Sequence, residues 1–265
     1  MSSTQKLGKA LITGASTGIG SIYADRLAKR GYDLILVARD EVKLNRVADK
    51  IKADHAVNVT VISADLTLKE ELARIESLLR EDSSITLLLN NAGLGAVTKL
   101  AESNIDDIET MISLNVIALT RLSAAITPGL ITRGHGAIIN IASIVALAPE
   151  LLNGAYSGSK AYVVNFTQSM HLELADKGIR VQAVLPGAID TPFWDKSGLP
   201  VNHLPAQIVM NPEALVDAAL AGFDMGEVIT IPSLPDLNDW HVLESARKAL
   251  APNLSHTTPA SRYLS

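Results

Sequence analysis

The chain has no cysteine, which excludes disulfides, thiolate nucleophiles and Cys-ligated metals. It also lacks a His-Glu-x-x-His run or comparable ligand cluster. Its acidic pairs, Glu70-Glu71 and Asp106-Asp107, read as solvated helix faces, so no metal is expected. Cations are in deficit: 23 Lys and Arg stand against 28 Asp and Glu, for a net charge of −5. That balance argues against nucleic acid as a partner. No apolar stretch reads as long and charge-free enough to span a bilayer. The opening Met-Ser-Ser-Thr-Gln-Lys lacks the apolar core of a signal peptide. A cytoplasmic protein without a membrane partner is therefore expected, and the Asn-x-Ser/Thr sites at Asn58, Asn165 and Asn253 read as chance matches. No repeat, low-complexity stretch or composition break divides the sequence, which points to one domain over residues 1–265.

What is present is regular alternation. Apolar runs at Lys9–Thr13, Asp33–Ala38, Asn58–Ser63, Ile85–Asn90, Gly136–Ile141, Arg180–Leu185 and Glu227–Ile231 read as strands. Helical periodicity falls between them at Ile19–Arg30, Glu41–Ala53, Lys69–Arg80, Asp106–Arg133, Ala155–Lys177 and Pro212–Phe223. The fold class this predicts is α/β, a doubly wound parallel sheet of about seven strands of the Rossmann type. A hydrophobic content of 48% fits strands buried on both faces. Thr127-Pro-Gly129 predicts a kink or early end in the fourth helix. The proline-rich segments Pro186–Pro212 and Ile231–Pro259 read as loops, the first overlapping a substrate-loop region at 188–225, the second overlapping a C-terminal extension at 232–265.

Two clusters carry chemistry. Gly14, Gly18 and Gly20 lie in the turn from the first strand to the first helix, where a bare backbone can approach a pyrophosphate held by the helix N-terminus. Tyr156 and Lys160 stand four residues apart, one helical turn, so phenol and ammonium share a helix face. A fixed cation beside the phenol is expected to bring its pKa down from ~10 toward the working range of a general acid–base. Gly14, Arg39, Asp65, Asn91, Ser143 and Pro186 all fall at strand ends, the edge where open parallel sheets bind ligands.

With those residues in view the chain resembles the short-chain dehydrogenase/reductase family, in its single-domain branch. The motifs that carry the resemblance are Thr13-Gly-Ala-Ser-Thr-Gly-Ile-Gly20, Asn90-Asn-Ala-Gly93, Asn115 in Ser-Leu-Asn-Val, Ser143, Tyr156-x-x-x-Lys160 and Pro186-Gly-Ala-Ile-Asp-Thr191. Val37-Ala-Arg39 is similar to a bacterial, NADP-preferring subgroup, whereas the tail from about Pro232 has no counterpart in most members. The resemblance implies hydride transfer between a nicotinamide and a carbonyl or alcohol. Ser143 would hold the reacting oxygen, Tyr156 would move the proton, Lys160 would bind the ribose, and Asn115 would hold a relay water, unless it is buried for packing. It further implies cofactor contacts from Gly14, Ser16, Thr17, Ile19, Gly20, Arg39, Asp65, Leu66, Asn91, Ala92, Gly93, Tyr156, Lys160, Pro186, Gly187, Ile189 and Thr191. Phe193, Trp194 and Leu199 fall where the substrate loop would lie, as substrate contacts or as packing.

Arg39 at the second strand end suits a 2′-phosphate, so NADP(H) is expected over NAD(H). A strand end one residue later would instead put Asp40 at the deciding position. Two other readings compete. Gly14-Ala-Ser16-Thr-Gly18 also fits the nucleophile elbow of a serine hydrolase, but it follows the first strand and leaves Tyr156 and Lys160 unexplained. A non-catalytic dinucleotide-binding regulator would keep the fold without needing the complete Ser, Tyr, Lys and Asn set. Surplus apolar residues on the two long helices, and the resemblance, imply a homodimer or homotetramer. The tail, with Trp240 and Tyr263, is read as folding over an active-site mouth or a neighbouring subunit.

Overall fold

The structure, a computed structural model, describes residues 7–194 and 201–264. Contacts divide the chain into two compact units, Met1–Pro232 and Ser233–Ser265.

The first unit alternates strand and helix: β1 (Lys9–Thr13), α1 (Gly18–Lys29), β2 (Asp33–Ala38), α2 (Glu41–Asp54), β3 (Val59–Ser63), α3 (Lys69–Glu81), β4 (Ile85–Asn90), α4 (Ile105–Ile112), α5 (Leu119–Arg133), β5 (Gly136–Ile141), α6 (Gly154–Leu174) and β6 (Ile179–Val184). After these come the short strands β7 (Ala188–Ile189) and β8 (Val209–Met210), then α7 (Pro212–Met225) and β9 (Ile229–Thr230). Seven strands pair in parallel in the order β3-β2-β1-β4-β5-β6-β9. The predicted doubly wound sheet is therefore borne out. Its direction of winding reverses between β1 and β4, which places a crevice at their carboxyl ends.

Strand alternation builds two cores. Ala10, Ile12, Leu34, Leu36, Leu87, Leu89 and Ile139 point to one face, and Leu11, Ile35, Val37, Leu88 and Ile138 to the other. Side chains of period two on a sheet covered on both faces are why these strands read as continuous apolar runs. Burying one such Leu or Ile is worth about 1.5–3 kcal/mol.

Three expectations are corrected. Of the two alternatives at Pro128, a kink or an early end, the early end is excluded: α5 runs to Arg133 and stops at Gly134. The irregularity falls earlier, as a π-helical turn over Ser113–Ala118 that contains Asn115; single π turns recur at functional positions. Ile105–Arg133 is also long and apolar enough to cross a membrane by length and composition. Its charges sit near its ends and in Arg121, while Leu119, Leu122, Ala125, Ile126 and Leu130 are buried and Ile112 and Ile117 are exposed. Apolar residues on both faces raise its hydropathy above that of a helix with one wet side.

The third correction lies in the second unit. Within the segment Ile231–Pro259, read as a loop, stands helix α8 (Leu237–Ala249). The prolines bracket this helix rather than interrupt it, and Asp236 caps it, accepting from Asn238 N at 2.9 Å.

Candidate active site

The six expected strand-end residues do follow their strands: Gly14 after β1, Arg39 after β2, Asp65 after β3, Asn91 after β4, Ser143 after β5 and Pro186 after β6.

At the first turn, Gly14 and Gly18 hold φ of 66° and 56°, a region costly for side chains bearing a Cβ. A Cβ on Gly20 would collide with Gly14 O and Asn91 Nδ2, so the turn is packed backbone against backbone. Helices α2, α4, α6, α7 and α8 have their first-turn N–H groups capped by Asp40, Asn104, Asn153, Asn211 and Asp236, whereas Thr17 makes no such bond at α1. The uncapped N–H groups and the positive end of α1 thus remain for an anion, which fits a dinucleotide pyrophosphate. Ser16 and Ile19 lie in the same turn, and Thr191 comes to it from far along the chain: a Cβ on Gly18 would lie 3.4 Å from Thr191 Cγ2.

The neighbouring β4 end braces this turn. Asn91 Nδ2 donates to Thr13 O at 3.0 Å and Gly14 O at 3.1 Å. Thr13 Oγ1 accepts from Asn91 N and Ala92 N, each at 3.0 Å. The Asn91 amide therefore holds the end of β1 in place.

At the β2 end, Arg39 Nη1 lies 3.8 Å from Asp65 Oδ2 with its side chain 58% exposed. Asp40 is spent elsewhere: it caps α2 by accepting from Lys43 N at 3.0 Å, and it pairs with Lys43 Nζ at 3.0 Å. Burial raises the Asp65 carboxyl, but hydrogen bonds from Thr67 and the charge of Arg39 outweigh it and hold it below the usual range. Leu66 is packed in the core.

On the other side of the crevice stands the catalytic candidate set. Ser143 Oγ makes a long 3.4 Å donation to Pro186 O and accepts from Val145 N at 3.3 Å. Lys160 Nζ donates to Ile141 O at 3.0 Å and lies 5.8 Å from the centre of the Tyr156 ring. The expected lowering of the phenol pKa is corrected here. Burial dominates and pushes Tyr156 up to about 12, with Ser143 pulling weakly against it. Burial likewise brings Lys160 down to about 8. Both shifts share one cause, the desolvation of a charge in an enclosed site.

Asn115 sits in the π turn with its side chain saturated. It donates to Leu94 O at 2.9 Å and Ser159 Oγ at 3.2 Å, and accepts from Leu94 N at 2.9 Å. A Cβ on Gly93 would lie 3.2 Å from Asn115 Oδ1 and 3.5 Å from Lys160 Nζ. Gly93 thus separates the amide from the ammonium with no side chain between them.

Sequence reasoning missed two features. Asn153 caps α6, accepting from Ala155 N at 2.8 Å and Tyr156 N at 3.4 Å, while its amide donates to Thr98 O and to Ser103 Oγ at 3.3 Å. An Asn directly before a helix is the signal that could have found it. The second is an apolar wall in which Tyr156 packs with Ile108, Met111, Val145, Leu94, Leu152 and Phe193. Phe193 faces Tyr156 at 6.1 Å between ring centres and meets Trp194 edge-on at 5.7 Å, and Trp194 Nε1 is anchored on Ile189 O at 2.8 Å. Leu199 lies outside the described residues. Among the described residues no group of three His, Asp or Glu is placed to hold a metal.

Comparison with known proteins now has a geometry to meet. A family model described as short chain dehydrogenase matches residues 8–200. A short-chain dehydrogenase from Sphingobium yanoikuyae, solved in complex with NADPH, superposes with a TM-score of 0.94 at 45% identity, covering 97% of this chain and 99% of that one. The bulky-bulky ketone specific alcohol dehydrogenase from Comamonas testosteroni gives a TM-score of 0.91 at 43% identity over 98% and 100%. An uncharacterized oxidoreductase of Staphylococcus epidermidis is 33% identical over 187 residues, 70% of this chain and 80% of that protein.

Proposed function

The chain belongs to the short-chain dehydrogenase family, and on that premise we propose that it transfers a hydride between NADP(H) and a ketone or secondary alcohol with two bulky apolar substituents. The observation that carries this is the buried Tyr156 ring with Lys160 Nζ 5.8 Å from its centre and tied to Ile141 O at the end of the strand that leads to Ser143, beside an apolar wall. When bound, a nicotinamide supplies the hydride and, in its oxidised form, a positive charge.

The protein's own residues handle position and protons. In reduction, Ser143 holds the substrate oxygen and Tyr156 delivers its phenolic proton to that oxygen as the carbon gains the hydride. In oxidation the phenolate removes the alcohol proton. Lys160 presents a buried ammonium to the ribose hydroxyls and to the phenolate as it forms. Asn115 holds Leu94 and the π turn in place beside Lys160. The uncapped start of α1, with Gly14, Thr17 and Gly20, takes the pyrophosphate. Pro186, Gly187, Ile189 and Thr191 border the nicotinamide end.

Arg39 favours the 2′-phosphate of NADP(H): it is the first residue past β2 and largely exposed, while Asp40 is engaged as a helix cap. The NADPH held by the Sphingobium relative agrees with this choice. The apolar wall around Tyr156 and the bulky-ketone specificity of the Comamonas relative support the substrate class. The working form we propose is a cytosolic homodimer or homotetramer, because Ile112, Ile117 and Tyr162 on the long helices are exposed.

The test is a screen of NADPH and NADH against ketones with two large groups, small methyl ketones, aldehydes and acyl-thioester ketones. Loss of reduced-cofactor absorbance with NADPH and the bulky ketones is expected. Tight NADPH binding with no turnover on any carbonyl would make the protein a binder and overturn the reading.

A further inference from the structure

We propose that Ser159, a residue outside the expected catalytic set, is a positioning residue for hydride transfer. Its buried hydroxyl ties the turn of α6 that carries Lys160 to Asn115 and, through Asn115, to the exit of β4. This rests on the reaction proposed above and adds what holds the ammonium in register with that strand.

Ser159 is 4% exposed and Asn115 1%, so neither polar group can turn to water and both must be satisfied inside the protein. The Ser159 hydroxyl has one hydrogen, and it goes to Tyr156 O at 2.7 Å within α6. Only its lone pairs then face away from the helix, and a group that meets them has to donate. Asn115 Nδ2 does so at 3.2 Å and gives its other hydrogen to Leu94 O at 2.9 Å. Asn115 Oδ1 accepts from Leu94 N at 2.9 Å. The backbone of Leu94 thus orients the amide, and the Tyr156 carbonyl orients the hydroxyl that receives it.

This tie closes a ring of contacts around the ammonium. A Cβ on Gly93, the neighbour of Leu94, would lie 3.2 Å from Asn115 Oδ1 and 3.5 Å from Lys160 Nζ. Lys160 follows Ser159 directly, and its Nζ donates to Ile141 O at 3.0 Å. Two adjacent residues therefore pin one turn of α6 to the ends of two paired strands. Ser159 reaches β4 by way of Asn115 and Leu94, and Lys160 reaches β5 itself. Without the hydroxyl, one Asn115 hydrogen is buried without its acceptor and the tie to β4 is gone. Helix stability does not account for Ser here, because alanine is the better helix former and buries no polar group.

A double-mutant cycle tests the tie. Ser159→Ala should lower kcat at least ~5-fold and weaken NADPH binding, measured by calorimetry, by a similar factor. Alanine suits a helix, so circular dichroism should match the parent's. In an Asn115→Ala background, which has already lost the tie, the same substitution should change kcat less than ~2-fold. Effects that multiply instead place the role of Ser159 within α6 and overturn the proposal. So does a Ser159→Ala variant whose kcat and NADPH affinity match the parent's. A second reading needs no turnover: in ¹⁵N-labelled protein the Asn115 side-chain amide should exchange its hydrogens at least ~10-fold faster in Ser159→Ala. Unchanged exchange overturns the tie. A parent that binds NADPH but reduces no carbonyl ends the reaction proposed above, and the tie then stands or falls on exchange and NADPH affinity.

Discussion

Lys160 Nζ donates to the carbonyl oxygen of Ile141 at 3.0 Å, so the end of β5 fixes the ammonium two residues before Ser143. That bond satisfies one of three N–H donors and leaves the cation buried, with its pKa brought down to about 8. The ammonium is thus present below about pH 8 and lost above it. Reduction measured as kcat/KM should fall on an alkaline limb centred near pH 8, and Lys160→Arg, which stays charged, should flatten that limb even if it turns over slowly. In stability terms the unfolded lysine keeps its proton to ~10.4, so this residue's contribution rises with pH between about 8 and ~10.4. A Lys160→Met variant should accordingly hold its largest melting advantage below pH 8. An identical limb in Lys160→Arg would assign the titration to another group.

Tyr156→Phe keeps the ring that packs on Phe193 and removes only the proton. Turnover should drop by at least ~10² while cofactor affinity changes little. Stopped-flow turnover within a few-fold of the parent would dismiss Tyr156 as the acid.

Arg39→Ala should collapse a preference for NADP(H) over NAD(H) of one to two orders of magnitude, if the contact is worth about 1.5–3 kcal/mol. Asp40→Ala should leave that preference alone and lower stability by about 1 kcal/mol, because its carboxylate caps α2. Kinetics with both cofactors, beside thermal melts, separate the two. A change of preference in Asp40→Ala would reverse the assignment.

Asn153→Ala removes the cap beneath Tyr156 and the tether to Thr98 and Ser103 together. Asn153→Asp keeps the capping oxygen and loses the donors. If cap geometry positions the phenol, Asp should restore most of kcat, and cofactor KM should stay near the parent's in both variants. Equal loss of kcat in Ala and Asp would place the effect in the 98–103 segment instead.

Gly20→Ala forces a methyl into Gly14 O and Asn91 Nδ2, backbone and a braced amide that have nowhere to go. Cofactor affinity should fall sharply, with stability reduced. Gly158→Ala, in the exposed face of α6 with nothing within 4 Å of its Cβ, should gain about 0.5–1 kcal/mol. Isothermal titration and melts on the pair discriminate a shaped turn from a general intolerance of alanine.

Much of this molecule was legible in its sequence because the determining patterns are local. Buried parallel strands announce themselves as apolar runs, helices by period and caps, and a sheet wound both ways must bring Gly14, Arg39, Asn91 and Ser143 to one edge. Of the kink or early end expected at Pro128, the early end does not occur, because a helix packed on a sheet can tolerate a lost hydrogen bond that an isolated one cannot. Reading residues 231–259 as loop failed because prolines were counted rather than placed; they flank α8.

The sequence by itself determined the sheet, the glycine-rich turn after β1 and the helix face shared by Tyr156 and Lys160, since each follows from spacing along one or two elements. Only the tertiary structure decided how those groups titrate, which amide braces β1, and that Asn153 joins α6 to residues 98–103. These depend on burial and on partners brought together from distant positions. The direction of the Tyr156 shift is the clearest case: spacing places a cation on the same helix face, but enclosure disfavours the phenolate and raises the phenol, with only Ser143 pulling the other way.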